Sequence, residues 1–539
     1  MRGKLCIAER NIMDILEKIT SGRTYLGIEF GSTRIKAVLT DDTYAPVATG
    51  AYDWENRLEN GYWTYSEEDI IKGLKGCYQD LRRDVKEKYG AEITTVGAMG
   101  ISAMMHGYLA FDSEDRLLVP FRTWRNTTTA QAAEKLTELF GFNIPQRWSI
   151  AHLYQAVLSG EEHVPQIAHV TTLAGYIHYL LTGRRELGAG EAAGMFPVDS
   201  STCDYREDML DKFDELMKPY GYGWSVRSVL PKSVCAGTTG AVLTDEGAAL
   251  LDESGALCGG IPMCPPEGDA GTGMVATNSV LPGTGNVSAG TSIFSMLVLD
   301  RPLKNVYTEI DMVATPDGKP VAMVHCNNCC SELDAWVRLF GEFAALAGIE
   351  MSKSDLYTKL YRNTLGADKD CGGVTAYNFL SGEPVADVEQ GRPMYFRTPD
   401  GNFNLANFMR AQLYSAVATL KMGMDILTEN EKVPVDKITG HGGLFKVGGV
   451  AQQYLADALG ADVAVLKTAG EGGAWGMALL AAYMNDGAGK DLPVFLNESV
   501  FASMDSTSAS PDAAGAAGFA AFMENYKAGL VAQCAAGNV

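Results

Sequence analysis

Gly27-Ile28-Glu29-Phe30-Gly31-Ser32-Thr33 and Gly285-Asn286-Val287-Ser288-Ala289-Gly290-Thr291-Ser292 decide how this chain is read. In each, an apolar run with the character of a strand breaks at a glycine-hydroxyl turn and then resumes. Such a hairpin exposes backbone N–H groups that can hold phosphate oxygens, and small or absent side chains let an anion approach. Taken singly, Gly with Ser or Thr between apolar runs is ordinary turn composition. The repetition about half a chain apart, with Lys36 after the first loop and a Gly-Asp turn ahead of the second, points instead to one duplicated ATP-binding unit.

The 539 residues are 46% hydrophobic and 20% charged, which is enough for two or more cores, and two large domains are expected. Lys and Arg number 44 against 66 Asp and Glu, a formal charge of −22 that disfavours nucleic acid or an anionic membrane surface as partner. A nucleotide must then be held locally, by loop N–H groups, helix ends and metal. The first 20 residues are charged with a helical period and lack the layout of a signal peptide. The longest apolar stretch, Ala474 to Met484, falls well short of the roughly 20 residues a membrane-spanning helix needs. A cytoplasmic protein without membrane partners is expected, and a homodimer is an allowed assembly.

Eleven cysteines, an odd number without framework spacing, read as reduced thiols. Cys326-Asn327-Asn328-Cys329-Cys330 lacks the second ligand pair that a zinc site needs, and it reads as small, weakly polar packing.

The first unit opens with strands Thr24–Glu29 and Arg34–Thr40, a helix-period segment Glu67–Tyr89 and an apolar strand Thr95–Ile101. Residues Thr127 to Leu251 read as helices, among them Trp148–Leu158 and Thr171–Leu181, forming a lid. The second unit starts near Gly283, with a strand at Val321–His325, helices at Ser331–Ala347 and Leu405–Leu427, and a strand Lys437–Gly440 that ends in Gly442-Gly443. A helix, Ala474–Met484, follows Glu471-Gly472-Gly473. Ser506–Gly518, rich in Ser, Ala and Gly, reads as a mobile connector before a last helix. Residues 1–22 read as a helical extension outside the fold.

These motifs, in this order from Thr24 to Met484, resemble the FGGY carbohydrate kinases. The resemblance implies an α/β fold of two ribonuclease-H-like domains of the actin, hexokinase and sugar-kinase superfamily around a central cleft. It implies a sugar- and phosphate-binding domain over 23–282, an ATP-binding domain over 283–486, and a connector and helix over 487–539. ATP and Mg²⁺ are the implied cosubstrate and metal, and a small-molecule sugar is the implied acceptor.

Residue by residue, Ser102-Ala103-Met104-Met105-His106-Gly107 is similar to the Met-His-Gly segment of xylulokinases, which would put Met105 and His106 at the sugar. Pro266-Glu267-Gly268-Asp269-Ala270-Gly271 resembles the family's Gly-Asp turn. Asp269 would be the general base, since the attacking hydroxyl gives up its proton as the phosphoryl group transfers. Glu29 stands where the family usually has aspartate beside Mg²⁺, so Glu29 and Asp269 form the metal expectation. Gly31, Ser32, Thr33 and Lys36 would face the transferred phosphoryl group, and Gly290, Thr291 and Ser292 the other phosphates. Gly442 and Gly443 would admit the adenine face, with Gln452 close by. Trp124, Arg125 and Asn126 would line the sugar pocket, although the family's Trp-x-Asp-x-Arg is here Trp124-Arg125-Asn126-Thr127-Thr128. An amide donates as well as accepts, so the hydroxyl pattern recognised can differ.

The acceptor expectation is therefore a ketopentose, D-xylulose first. Another ketose or polyol such as L-ribulose or glycerol, and a non-catalytic ATP-driven switch of the same superfamily, are the rival readings. Gly271-Thr272-Gly273-Met274-Val275-Ala276 matches the dinucleotide fingerprint, but Pro265-Pro266-Glu267-Gly268 before it does not read as a strand, and no Gly-x-x-x-x-Gly-Lys-Ser/Thr occurs.

Overall fold

The computed structural model describes residues 12–466, 472–502 and 504–537. Two compact units emerge. The first takes in the described parts of Met1–Val280, Met312–Val321 and Glu471–Ser503. The second takes in those of Leu281–Asp311, Ala322–Gly470 and Met504–Val539. The chain thus crosses close to the expected boundary at 282, but residues up to 502 then return to the first unit.

The first unit begins with helix α1 (residues 12–20), then strands β1 (Thr24–Phe30), β2 (Arg34–Asp41) and β3 (Pro46–Asp53). Helix α2 (Glu67–Tyr89), strand β4 (Ala98–Ala103) and helix α3 (Asp269–Ala276) follow. β1 pairs antiparallel with β2 and parallel with β4, so the sheet runs β3-β2-β1-β4, extended beyond β4 by Pro262–Met263 and Ala241–Val242. Glu267–Gly268 pairs with the far end of β4. β1 is covered on both faces, which is why it reads as a nearly unbroken apolar run.

Local chemistry fixes α2 at both ends. Ser66 and Asp69 form a reciprocal capping box, and Gly90 closes the helix in the left-handed conformation. Its Ile70, Leu74, Cys77, Leu81 and Val85 recur at helical spacing and are buried.

The returning helix Gly472–Asp486 lies against β1 so closely that a Cβ on Gly27 would fall on the carbonyl of Ala474 and the N–H of Ala478. Only glycine allows that approach.

In the second unit, strands β5 (Thr284–Ala289), β6 (Ile293–Val298) and β7 (Pro320–Cys326) are followed by helices α4 (Ser331–Leu346) and α5 (Leu405–Asp425). Strands β8 (Lys437–Gly442), β9 (Asp462–Leu466) and β10 (Ser506–Ala509) and helix α6 (Ala513–Gly537) complete it. The sheet order β7-β6-β5-β8-β9 repeats the first unit's pattern, with β5 antiparallel to β6 and parallel to β8. This is the duplicated ribonuclease-H-like layer that the two hairpins announced.

Three expectations need correction. The N-terminal helix is not outside the fold: Ile19 is fully buried, and Lys18 pairs with Asp41 and Asp42 of the first unit. Residues 1–11 lie outside the described residues. Ser506–Gly518 is no connector, because Ser506–Ala509 pairs antiparallel with β9 and α6 begins at Ala513. Strand pairing is made by backbone, so a Ser- and Ala-rich composition does not prevent it. Nor are all the thiols reduced, because Cys203 and Cys235 form a disulfide. Among the described residues no helix is long and apolar enough to cross a membrane.

Candidate active site

The topology of the first unit gathers three strand ends. β1 runs beside β4 with Glu29 opposite Ser102, and Glu267–Gly268 lies on the other side of Ser102 and Ala103. Glu29, the Met105-His106 turn and Asp269 therefore leave the same carboxyl edge of the sheet, where ligands of α/β folds bind. Asp269 is the first residue of α3, and its Oδ1 accepts from the Met105 N–H at 3.2 Å.

Asp269 is exposed to solvent on one side and crowded by protein on the others. That crowding pushes its pKa up to about 6, against the pull of the N–H groups of Met105, Ala270 and Asp269 itself. Glu29 is raised to about 7, first by burial and then by the charge of Asp269. Lys36, its partner on β2, and the Ala474 N–H oppose the rise. The Ala474 N–H belongs to the first turn of the returning helix, whose positive dipole end thus meets the Glu29 carboxylate.

His106 has a positive φ of 70°, uncommon for a residue with a side chain and a mark of a conformation imposed by its surroundings. Its ring stacks on Trp148 at 6.3 Å, and Nδ1 lies 3.1 Å from the Gly194 carbonyl. A carbonyl only accepts, so Nδ1 carries the proton and donates.

The hairpin after β1 is held by its carbonyls. The Trp54 indole N–H donates to Gly31 O at 2.7 Å, the Tyr65 hydroxyl to Ser32 O at 2.6 Å, and the Trp54 N–H to Thr33 O at 3.1 Å. A planar trans peptide points its N–H opposite to its carbonyl. With the Gly31 and Ser32 carbonyls turned inward, the Ser32 and Thr33 N–H groups face outward. Trp124 joins this loop, its indole N–H donating to Ser32 Oγ at 3.2 Å.

The second hairpin uses the same device with different partners. Cys330 N–H donates to Gly290 O at 3.0 Å and Cys329 N–H to Thr291 O at 2.9 Å, turning the Thr291 and Ser292 N–H groups outward. Gly290 and Thr291 are exposed. The cysteine cluster therefore acts through its amides, while contact with the Cys330 thiol and then burial hold the Cys329 thiol protonated. Beside this hairpin, β8 ends at Gly442, whose φ of 102° and contact with the Ala289 carbonyl exclude a side chain. Gly443 then opens a short turn, Gly443–Lys446.

Residues 24–251 match the FGGY family of carbohydrate kinases, N-terminal domain, and residues 285–485 match its C-terminal domain. The chain belongs to the FGGY family of carbohydrate kinases, and it is a sugar-phosphorylating enzyme. Asp269 lies between the two matched stretches. This FGGY chain is 23% identical over 483 residues to the xylulose kinase of Haemophilus influenzae, covering 86% of this chain and 90% of the relative. Its fold is shared with the xylulose kinase of Lactobacillus acidophilus (17% identity, 95% and 99% of the two chains, TM-score 0.76). The gluconate kinase of the same organism is also similar (18% identity, 96% and 99%, TM-score 0.77).

Two residues expected at the FGGY site are occupied elsewhere. The Asn126 amide is buried, donating to the Trp63 and Thr123 carbonyls and accepting from the Trp63 N–H, so it clasps the chain instead of facing sugar. Gln452 donates to the Val463 and Thr507 carbonyls and accepts from the Thr507 hydroxyl, tying helix Val450–Leu459 to β9 and β10. Both side chains have spent their N–H donors on backbone. Arg125 is exposed, with its guanidinium 4.0 Å from the Trp63 ring centroid and bonded to Asn56. Glu471 lies outside the described residues.

Sequence reasoning also passed over two carboxyl groups behind Asp269. Glu267 is fully buried, accepts from the Gly190 and Glu191 N–H groups, and is raised by that burial to about 8. Glu191 is fully buried as well. Burial, with Glu267 and Asp269 nearby, raises it well above the carboxylate range, and the Thr172 hydroxyl only partly offsets this. Glu267 was visible in the Gly-Asp turn, but Glu191 is 78 positions from Asp269 and only the fold brings it there.

Proposed function

We propose that this enzyme transfers the γ-phosphate of ATP to a hydroxyl of a ketopentose, D-xylulose in the first place. The observation that carries the reading is the Asp269 carboxylate, solvent-accessible, anchored on the Met105 N–H and raised to about 6 at the strand edge next to the buried His106. A base near that value is ionised at neutral pH yet basic enough to take a hydroxyl proton. Family membership supports phosphoryl transfer, and the Haemophilus influenzae relative favours xylulose among the acceptors.

In this reading the sugar hydroxyl loses its proton to Asp269 as its oxygen forms the new bond to phosphorus. His106 and Met105 hold the sugar, with Trp124 and Arg125 at its rim. The outward N–H groups of Ser32 and Thr33, with Lys36, steady the transferring group, and those of Thr291 and Ser292 hold the other phosphate oxygens. Gly442 and Gly443 leave space for the base. Glu29 and Asp269, two carboxylates whose charges disfavour one another, suit Mg²⁺, which is held by one or two carboxylates together with phosphates and water. The ion would supply charge neutralisation at the phosphates.

Coupled ADP release over ketopentoses, polyols and gluconate tests the proposal. D-xylulose is expected to give the highest kcat/KM. A better polyol or aldonate would reassign the acceptor, and ADP release indifferent to every sugar would remove the kinase reading.

The pH profile follows from the same carboxylates. Asp269 works ionised, so kcat/KM should fall as pH drops through about 6, approaching tenfold per unit below it. Protonation of Glu29, raised to about 7, begins the decline earlier. A flat profile from pH 8 to pH 5 would count against both assignments.

A further inference from the structure

The first unit holds a cavity of about 440 Å³ that shares no residue with the site above. It lies between strand Leu109–Phe111, strand His169–Thr171, helix Leu173–Thr182 and the short turn at Ser228–Pro231. One end is apolar and aromatic. Phe111 stacks with Tyr176 at 5.2 Å and with His169 at 6.0 Å, and Val229 and Leu230 also line the cavity. This volume falls within the range of small-molecule pockets.

The other end is a built polar cluster. His169 Nε2 lies 2.7 Å from Asp115 Oδ1, the Tyr179 hydroxyl donates to Asp115 Oδ2 at 2.6 Å, and Arg185 Nη2 also bonds Asp115. The guanidinium covers the Tyr179 ring at 4.6 Å. Burial alone would raise Asp115, but these three neighbours outweigh it and bring the carboxylate down to about 2.

The accounting of donors and acceptors indicates what fits. Asp115 already serves three donors, so a ligand offering further N–H or O–H groups gains little there. Arg185 uses Nη2 on Asp115 and Tyr179, whereas its Nε and Nη1 edges carry donors that these contacts do not use, and the side chain is 43% exposed. An incoming acceptor therefore finds a charged donor, and its apolar body finds an aromatic wall.

We infer that this cavity is a second binding site, taking a small ring-bearing anion whose carboxylate or phosphate meets Arg185 while its ring lies against Phe111 and Tyr176. No chemistry occurs there. Its occupant touches none of Asp269, His106 or the phosphate hairpins, so its effect on turnover is indirect.

The test uses the full-length enzyme with phenyl phosphate and benzoate as probes, and with inorganic phosphate and benzyl alcohol as single-feature controls. Titration calorimetry is run with nucleotide saturating, so that the probe cannot occupy the ATP site. Arg185→Ala removes the charged donor, and Ser228→Trp closes the rim from an exposed position. At least one ring-bearing anion should bind more tightly than either control. Each variant should weaken that binding by roughly 10- to 100-fold, the scale of a charge-assisted hydrogen bond, while turnover without probe stays within about twofold. Tighter phenyl phosphate than benzoate assigns the anion as phosphate, and the reverse assigns it as carboxylate. No binding by either probe, binding equal to inorganic phosphate, or binding unchanged in both variants overturns the site.

Discussion

Asp269→Asn is expected to lower kcat by roughly two to four orders of magnitude, the usual range for loss of a general base, while the nucleotide dissociation constant stays close to that of the parent. The substitution is nearly isosteric. Its amide oxygen can still accept the Met105 N–H that Oδ1 accepts now, so the turn between β4 and α3 keeps its anchor. What disappears is the ability to take a proton.

Stability separates this from a folding defect. The Asp269 pKa is raised in the folded chain, so the group favours folding below its unfolded value and that contribution is lost as pH rises through about 6. At neutral pH the ionised carboxylate is therefore a mild liability, and the Asn variant should melt no lower than the parent. A variant that retains near-full turnover would remove Asp269 as the base. One that melts well below the parent would show that the residue is structural.

Glu29→Ala should lower activity by about 10- to 100-fold, the scale seen when a group that orients a metal ligand is removed, and should raise the Mg²⁺ concentration needed for half-maximal rate. The carboxylate lies between Lys36 across the strand pair and the Ala474 N–H at the start of the returning helix, so its removal leaves both without their anionic neighbour. Glu29→Asp keeps the charge one methylene shorter and should retain much of the rate if the side chain acts through water. A loss in Glu29→Asp as deep as in Glu29→Ala would mean direct, length-dependent contact. Unchanged Mg²⁺ dependence in both variants would exclude a role at the metal.

The features legible in the sequence were those that local chemistry dictates. Both hairpins declared themselves through Gly, Ser and Thr between apolar runs. Helix α2 is legible from Glu67 to Tyr89 through its helical period, and the Ser66–Asp69 capping box with Gly90 fixes both of those ends. Asp269 and the Met105-His106 turn were found from short motifs, and the parallel pairing of β4 brings them together.

The misreadings share a cause, which is that partners distant in sequence decide them. Asn126 and Gln452 have the right chemistry for a sugar or an adenine, but backbone carbonyls of the same kind took their donors first. Ser506–Ala509 looked structureless because edge pairing with Val463–Leu466 is a backbone property. The helix within residues 1–22 looked like an extension outside the fold, because the partners of Lys18, Asp41 and Asp42, come more than 20 positions later. Cys203 and Cys235 carry no spacing signal, since 32 positions separate them.

The most direct test of the central claim is amide hydrogen exchange on the full-length enzyme with and without a non-hydrolysable ATP analogue and Mg²⁺. Peptides spanning Gly31–Arg34 and Gly290–Ile293 should both slow markedly with nucleotide, because outward N–H groups that now meet water would be bonded to phosphate oxygens. Exchange that stays unchanged at either hairpin while the analogue is bound would contradict the account.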